Sequence, residues 1–348
     1  MSNLLIGLLG ALLSTNQAQA AAQVVQENTA LPLPAAVRQA ATNDPVAVEF
    51  QQLLEADETT LEEAEKMIQQ SIAFEAQGAG ERAEELAERV DARFAQMRLK
   101  YEDFLRRHTN HVEAFLAYGS FLGETGREEE SVKYFERARE LDPKNPVSWN
   151  NLANYYGHRG PVKKAFEYYE KAISLKTNEP TYYQNLATTT YLFRKDAKEH
   201  YGITEQEVFD KAVKLYKQSI ALDPKNFLRL ADFAQTYYGI RPLRTNDALA
   251  AWNDALAVAS TESERQGVYV HLARVCGLAG LYEQGQEHLK KVTLPEHAET
   301  KARVERTLAR KSAASKDDSE QSADPGADLA PTQPQVETKT ISKPAAGN

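Results

Sequence analysis

The chain has 348 residues, 42% apolar and 26% charged, with 50 acidic against 41 basic side chains and a formal charge of −9. That is enough for two ordinary domains or one long array, with the charged fraction of an ordinary soluble protein. The acidic balance speaks against nucleic acid as a partner, because phosphate binding needs a basic face. The single cysteine, Cys276, excludes an intramolecular disulfide and any multi-cysteine zinc site.

The first element is an apolar run, Leu4 to Leu13, followed by a polar stretch and Ala18-Gln19-Ala20. Ten apolar residues are too few to span a bilayer as a helix, and the A-x-A pattern fits signal-peptidase cleavage. No Lys or Arg precedes the run, which departs from the usual signal. Residues 1–20 therefore read as a signal peptide or a hydrophobic N-terminal segment. The first reading makes the protein exported or periplasmic. The alternative is a cytoplasmic protein whose membrane contact is confined to this uncleaved segment. Residues 21–45, rich in Ala, Gln and Pro, read as a linker.

Residues 46–111 read as an acidic helical segment. Ala83, Leu86, Val90, Phe94, Met97, Tyr101 and Phe104 recur at steps of three and four, an apolar stripe on one long helix. Such a stripe suits a coiled-coil seam or a helix packed on the next part of the chain. The short length of the stripe favours the second.

From Val112 the chain repeats. Leu141-Asp142-Pro143-Lys144-Asn145 returns 81 positions later as Leu222-Asp223-Pro224-Lys225-Asn226. Each copy closes a unit. Residues 112–145 and 146–179 are both 34 long and align feature by feature. Phe115 matches Trp149, Gly119 matches Ala153, and Gly126 matches Gly160. Ser131 matches Ala165, Phe135 matches Tyr169, and Ala138 matches Ala172. A third unit, 180–226, has 47 residues, with its excess at 194–207 between two helices. A fourth spans 227–260 and a fifth 266–293. Tyr101, Phe104 and Leu105 fall where a degenerate earlier unit would place its second helix. Small residues let two helices approach and aromatics fill the gaps beside them. Pro after a helix end stops it.

This pattern resembles the tetratricopeptide repeat, a 34-residue helix–turn–helix unit with a Gly at the turn and a closing Pro. The resemblance implies an all-α fold, a right-handed α-α superhelical solenoid of stacked repeats. Residues 294–311 are expected to form a terminal helix. Residues 312–348, almost without large apolar side chains, are expected to be a disordered tail.

No chemistry-bearing motif emerges from the residues. Cys276 sits at an inward helical position, and His108 and His111 read as solvated turn histidines. Glu128-Glu129-Glu130 opens a helix, where carboxylates suit the dipole. There is no HExxH, phosphate loop or nucleophile elbow. The chain is therefore expected to be no enzyme, with no cofactor and no metal.

In proteins of this family the first helix of each repeat lines a concave groove for a peptide or partner. Carried over, that face comprises Asn150, Asn154 and His158, then Gln184, Thr188 and Tyr191. Gln235 and Tyr238 follow in the fourth unit and Arg274 in the fifth. Amides can pair with an extended backbone, and aromatics supply contact area. A carboxylate clamp is disfavoured, because Leu116 and Asn150 stand where it would need lysine. Asn151, Asn185 and Asp232 share one repeat position and suggest a ladder. The function implied is a scaffold or adaptor binding a protein or peptide segment. Two alternatives remain open: an oligomeric envelope or secretion subunit that self-associates through its N-terminal helices, and an accessory that meets an enzyme through 194–207.

Overall fold

The structure, a computed structural model, describes residues 44–75, 78 and 82–321. The expected signal segment, nearly all of the linker and the end of the tail lie outside these residues. Among the described residues every regular element is helical. The chain divides into two compact units at Ser260 and Thr261.

The first unit opens with two long helices, α1 (Pro45–Glu75) and α2 (Ala83–Arg107). Acidic residues Glu84 and Glu85 stand in the first turn of α2, and Arg106 and Arg107 in its last. Both pairs match the helix dipole. Leu86, Val90, Phe94, Met97, Tyr101 and Phe104 are all buried, in one core with Phe50, Leu53, Ala64 and Ile68 of α1. The same core takes in Ala114, Tyr118 and Phe121 of α3 (Val112–Glu124). The stripe is therefore consumed inside the chain. It is a packing face for α1 and the first repeat, not a free coiled-coil seam. Tyr101 stacks on Tyr118 at 4.9 Å, and Phe94 meets Phe121 edge-on at 5.8 Å.

Helix α3 pairs with α4 (Glu128–Leu141), and α5 (Pro146–Arg159) pairs with α6 (Val162–Leu175). The reason is the small-residue register. A Cβ on Gly119 would lie 2.5 Å from the Phe135 ring, so only glycine lets α3 and α4 approach this closely. Gly126 and Gly160 take φ of 84° and 77° between the helices of each pair. Asn145 ends the first LDPKN and caps α5, its side chain accepting from the Val147 N–H at 3.0 Å with Pro146 in the first turn. Leu116, Phe135, Ala138, Val147 and Leu152 form the seam between the first two repeats.

The third unit pairs α7 (Pro180–Leu192) with α9 (Glu205–Leu222). Its extra residues are not a plain turn. They form α8 (Arg194–Tyr201), which packs back on α6 through Phe166 against His200 and Tyr201 at 5.2 and 5.5 Å. Ala197 is the buried residue of this helix. Thr204 and Glu207 then close a capping box that starts α9. The fourth unit is α10 (Phe227–Thr236), a 3₁₀ turn at Tyr237–Gly239, and α11 (Thr245–Val258).

The second unit contains α12 (Glu262–Leu278), α13 (Tyr282–Lys290), a 3₁₀ turn at Pro295–His297 and α14 (Ala298–Gln321). Its core joins Val270, Ala273, Leu289, Val292, Val304 and Leu308. Cys276 is buried. Helix α14 runs ten residues into the stretch expected to be tail. That stretch has no proline before Pro325 and contains good helix formers such as Ala313, Ala314 and Lys316. A helix can therefore continue there without an apolar face.

Candidate interaction surface

Helices α3, α5, α7 and α10 are the first helices of successive repeats and bring the sequence-predicted residues of the first unit into one region. Their environments differ sharply. Asn150 and Asn154 do not stand on the surface. Both are buried, and Asn185 of α7 donates to Asn150 Oδ1 at 3.1 Å and to Asn154 Oδ1 at 3.2 Å. Tyr169 of α6 donates its hydroxyl to Asn154 Oδ1 at 2.6 Å. Asn150 in turn donates to Asn151 Oδ1 at 3.1 Å. These amides form a polar core between the second and third repeats. Burying an amide is costly unless it is hydrogen-bonded, and the network meets most of that demand. The side chains are thereby spent on one another and are not offered to a peptide backbone.

The residues of the suspected ladder, Asn151, Asn185 and Asp232, bond to different neighbours. Asn185 bonds Asn150 and Asn154, while Asp232 receives the Gln184 amide at 2.6 Å. Gln184 is also committed at its other end, its Oε1 accepting from Arg229. Arg229 is buried, donates to Ser219 Oγ at 2.7 Å and lies 3.5 Å from Asp223. Burial holds its guanidinium below the usual arginine range, with Asp223 opposing. Ser219 passes the chain on to the Pro180 carbonyl at 2.6 Å.

Thr188 shares a 2.7 Å hydrogen bond with the Tyr216 hydroxyl and is half-buried. The Tyr191 hydroxyl is tucked against Gly239, where a Cβ would collide with it. Burial pushes the Tyr191 phenol upward. His158 is half-buried at the end of α5, 3.6 Å from Glu128, which also takes Arg159 at 2.8 Å. The Glu128 carboxyl is held below its ordinary range by His158, against desolvation and with Arg159 assisting.

One stripe of the fourth repeat carries an exposed apolar side chain. Leu228, Gln235 and Tyr238 follow at steps of seven and three, on one side of α10 and its 3₁₀ extension. Leu228 is 72% exposed, Gln235 is exposed and Tyr238 is half-buried, 6.4 Å from the Trp252 ring. Leu228 is the residue that sequence reasoning missed. Its periodic position gave no sign that it would be left uncovered. Arg229 was missed too, although an arginine at the register of small, buried Ser148 was a visible signal. Arg274 is exposed on α12, in the second unit.

His108 and His111 are not solvated. His108 Nε2 lies 3.2 Å from Glu49 Oε2, and His111 packs 4.5 Å from the Phe50 ring and accepts from the Ala114 N–H at 3.2 Å. They fasten the start of α1 to the start of the first repeat. Among the described residues no cluster of His, Cys, Asp and Glu is arranged to hold a metal ion. Nor is any described helix long and apolar enough to cross a membrane.

The fold and this surface define an all-α helical-repeat protein. Residues 112–145 and 146–179 match the family model of the tetratricopeptide repeat, so this part of the chain carries two such repeats. No curated protein matches it. Among solved structures it is similar to YrrB, a TPR protein with an unusual peptide-binding site, at 13% identity over 55% of this chain and 90% of that one, TM-score 0.42. It is also similar to TTC0263, a thermophilic TPR protein of Thermus thermophilus, at 18% identity over 57% and 99%, TM-score 0.42. A third is PilW, a type IV pilus biogenesis factor, at 13% identity over 66% and 91%, TM-score 0.46. The tetratricopeptide fold is that of a protein–protein interaction scaffold.

Proposed function

We propose that this protein is a non-enzymatic scaffold that holds an extended segment of a protein partner along the first helices of its third and fourth repeats. The observation that carries the reading is the exposed Leu228, in line with Gln235 and Tyr238 and beside a set of fully committed polar groups. An apolar anchor with an amide and a phenol on the same stripe suits a peptide that buries one apolar side chain. His158, Thr188 and Tyr191 continue the surface toward the second repeat. Asn150, Asn154 and Gln184 support it from beneath. The export reading of residues 1–20 fits an envelope scaffold and stands on that sequence segment alone.

Self-association through the N-terminal helices is the weaker reading, because the α2 stripe is covered by α1 and α3 within the chain. The test is cross-linking capture from the native host with wild type and a Leu228→Ser/Gln235→Ala double variant. The expected result is a defined partner held by wild type and lost by a variant of unchanged helicity. Equal capture of the same partner by both proteins would sink the proposal.

A further inference from the structure

Asp57 lies where α1 meets α2, half-buried as a residue but with one carboxylate oxygen fully enclosed. Tyr101 of α2, itself fully buried, donates its hydroxyl to Asp57 Oδ2. The other oxygen, Oδ1, is buried and has no hydrogen-bond partner among the described residues. Two further carboxylates act on the pair. Glu58 of α1 and Glu124 at the end of α3 both act on Asp57 as like charges. Behind Tyr101, Tyr118 of α3 donates to Glu102 of α2 at 2.9 Å. Among the described residues, no cation is one of the groups acting on Asp57. A buried carboxylate with a single donor and two acidic neighbours is unfavourable as an anion and acceptable as a neutral acid.

We propose that Asp57 is a pH-sensitive latch, neutral while α1 is docked on α2 and ionised when α1 comes away. Several observations place the device at a junction and not inside one helix. The pair spans α1 and α2, Tyr101 stacks on Tyr118 of α3, and Phe50 of α1 packs on Phe104 of α2 at 5.7 Å. Release of α1 would therefore bare the side of α2 that carries Phe104, where Phe50 now packs. Burial pushes the Asp57 carboxyl from 3.8 up to about 7, with the Tyr101 hydrogen bond opposing and Glu124 and Glu58 adding. The sign follows from linkage. The docked state binds the proton more tightly than the released state, so docking is strongest in acid. It weakens as pH rises from the ordinary carboxylate range to about 7, and levels off above that.

The test is hydrogen exchange of the full-length chain, read as protection factors for α1 amides between pH 5 and 8 and corrected for intrinsic rates. The ratio of α1 protection in wild type to that in Asp57→Asn should fall by about tenfold per pH unit up to about 7 and then flatten, while the ratio for α5 and α6 holds steady. In Asp57→Asn itself only the histidine seam's slope should remain. Tyr101→Phe, which deletes the donor that favours the anion, should move the end of the slope to higher pH, a change that lost packing alone would not produce. The histidine seam works in the opposite sense. Burial lowers His111, so its contribution is lost as pH falls, and it persists in the Asp57 variant as an internal reference. A ratio without slope, which means the same profile in wild type and Asp57→Asn, overturns the latch. If Asp57→Asn does not fold, an unmoved profile in Tyr101→Phe overturns it equally.

Discussion

The same five residues close the first and third repeats, and the chain beyond them behaves in opposite ways. After the first LDPKN, Val147 is 7% exposed and sits in the seam with Leu116, Phe135, Ala138 and Leu152. After the second, Leu228 at the equivalent position is 72% exposed. The helix stop works alike in both: Asp142 and Asp223 each return a backbone N–H to the helix they end. The difference lies one residue further on. Ser148 is small and closes on the Asn145 carbonyl at 2.9 Å. Arg229 is long and turns inward to Gln184, Ser219 and Asp223. One seam is closed by apolar contact. The other is held by a buried cation, and its leucine is left outside. A repeat can thus keep its punctuation and still turn a packing position into a contact position.

The strongest way to break that contrast is to give the second copy the residue of the first. Arg229→Ser removes a buried side chain and strands the Gln184 carbonyl oxygen, so it should cost about 3 kcal/mol. The measurement is the urea midpoint, with an unchanged denaturant slope showing that stability and not compactness has moved. A loss under about 0.5 kcal/mol, the range of an ordinary surface change, would mean that Arg229 does not hold the third and fourth repeats together.

Next in size is the amide core on the other side of α7. Asn185→Ala deletes the donor to both Asn150 and Asn154 and leaves their oxygens under-satisfied in a buried site. About 2 kcal/mol is expected. Tyr169→Phe, which removes a different donor to Asn154, should couple with it. The double variant should then lose less or more than the two single losses combined. Strict additivity would show that the network is a set of separate contacts.

The repeat register was legible in the sequence because it rests on close helix approach. Gly119 against Phe135, and the turn glycines Gly126 and Gly160, leave few other residues that fit. The stripe on α2 was legible for the same reason, since burial has a period. The occupancy of the polar face was not. Asn150, Asn154 and Gln184 sit at positions that suit a groove, and nothing in one chain's spacing says that Asn185, Tyr169 and Arg229 reach them first. Those partners lie 31 and 35 residues away for Asn185, 15 for Tyr169 and 45 for Arg229. The helix in 194–207 escaped notice as well. Eight residues without an apolar stripe carry too weak a period, and α8 is held by Phe166 of the preceding repeat.

The smallest effect on the fold is expected at Leu228, and it separates the two seams most cleanly. Leu228→Ser takes no buried contact from the free protein, so its stability should stay within about 0.5 kcal/mol of wild type. Val147→Ser, at the matching place, should cost about 1.5 kcal/mol, because it removes a buried aliphatic side chain. If Leu228 is an anchor, partner affinity should fall about tenfold in the serine variant, which corresponds to about 1.4 kcal/mol of lost burial. Titration with the captured partner checks this, with Val147→Ser as the control that weakens the fold without touching the Leu228 stripe. Stability losses of equal size at 147 and 228 would mean that Leu228 is covered in solution. The second repeat boundary would then be closed like the first, and the contact surface would have to lie elsewhere on α10.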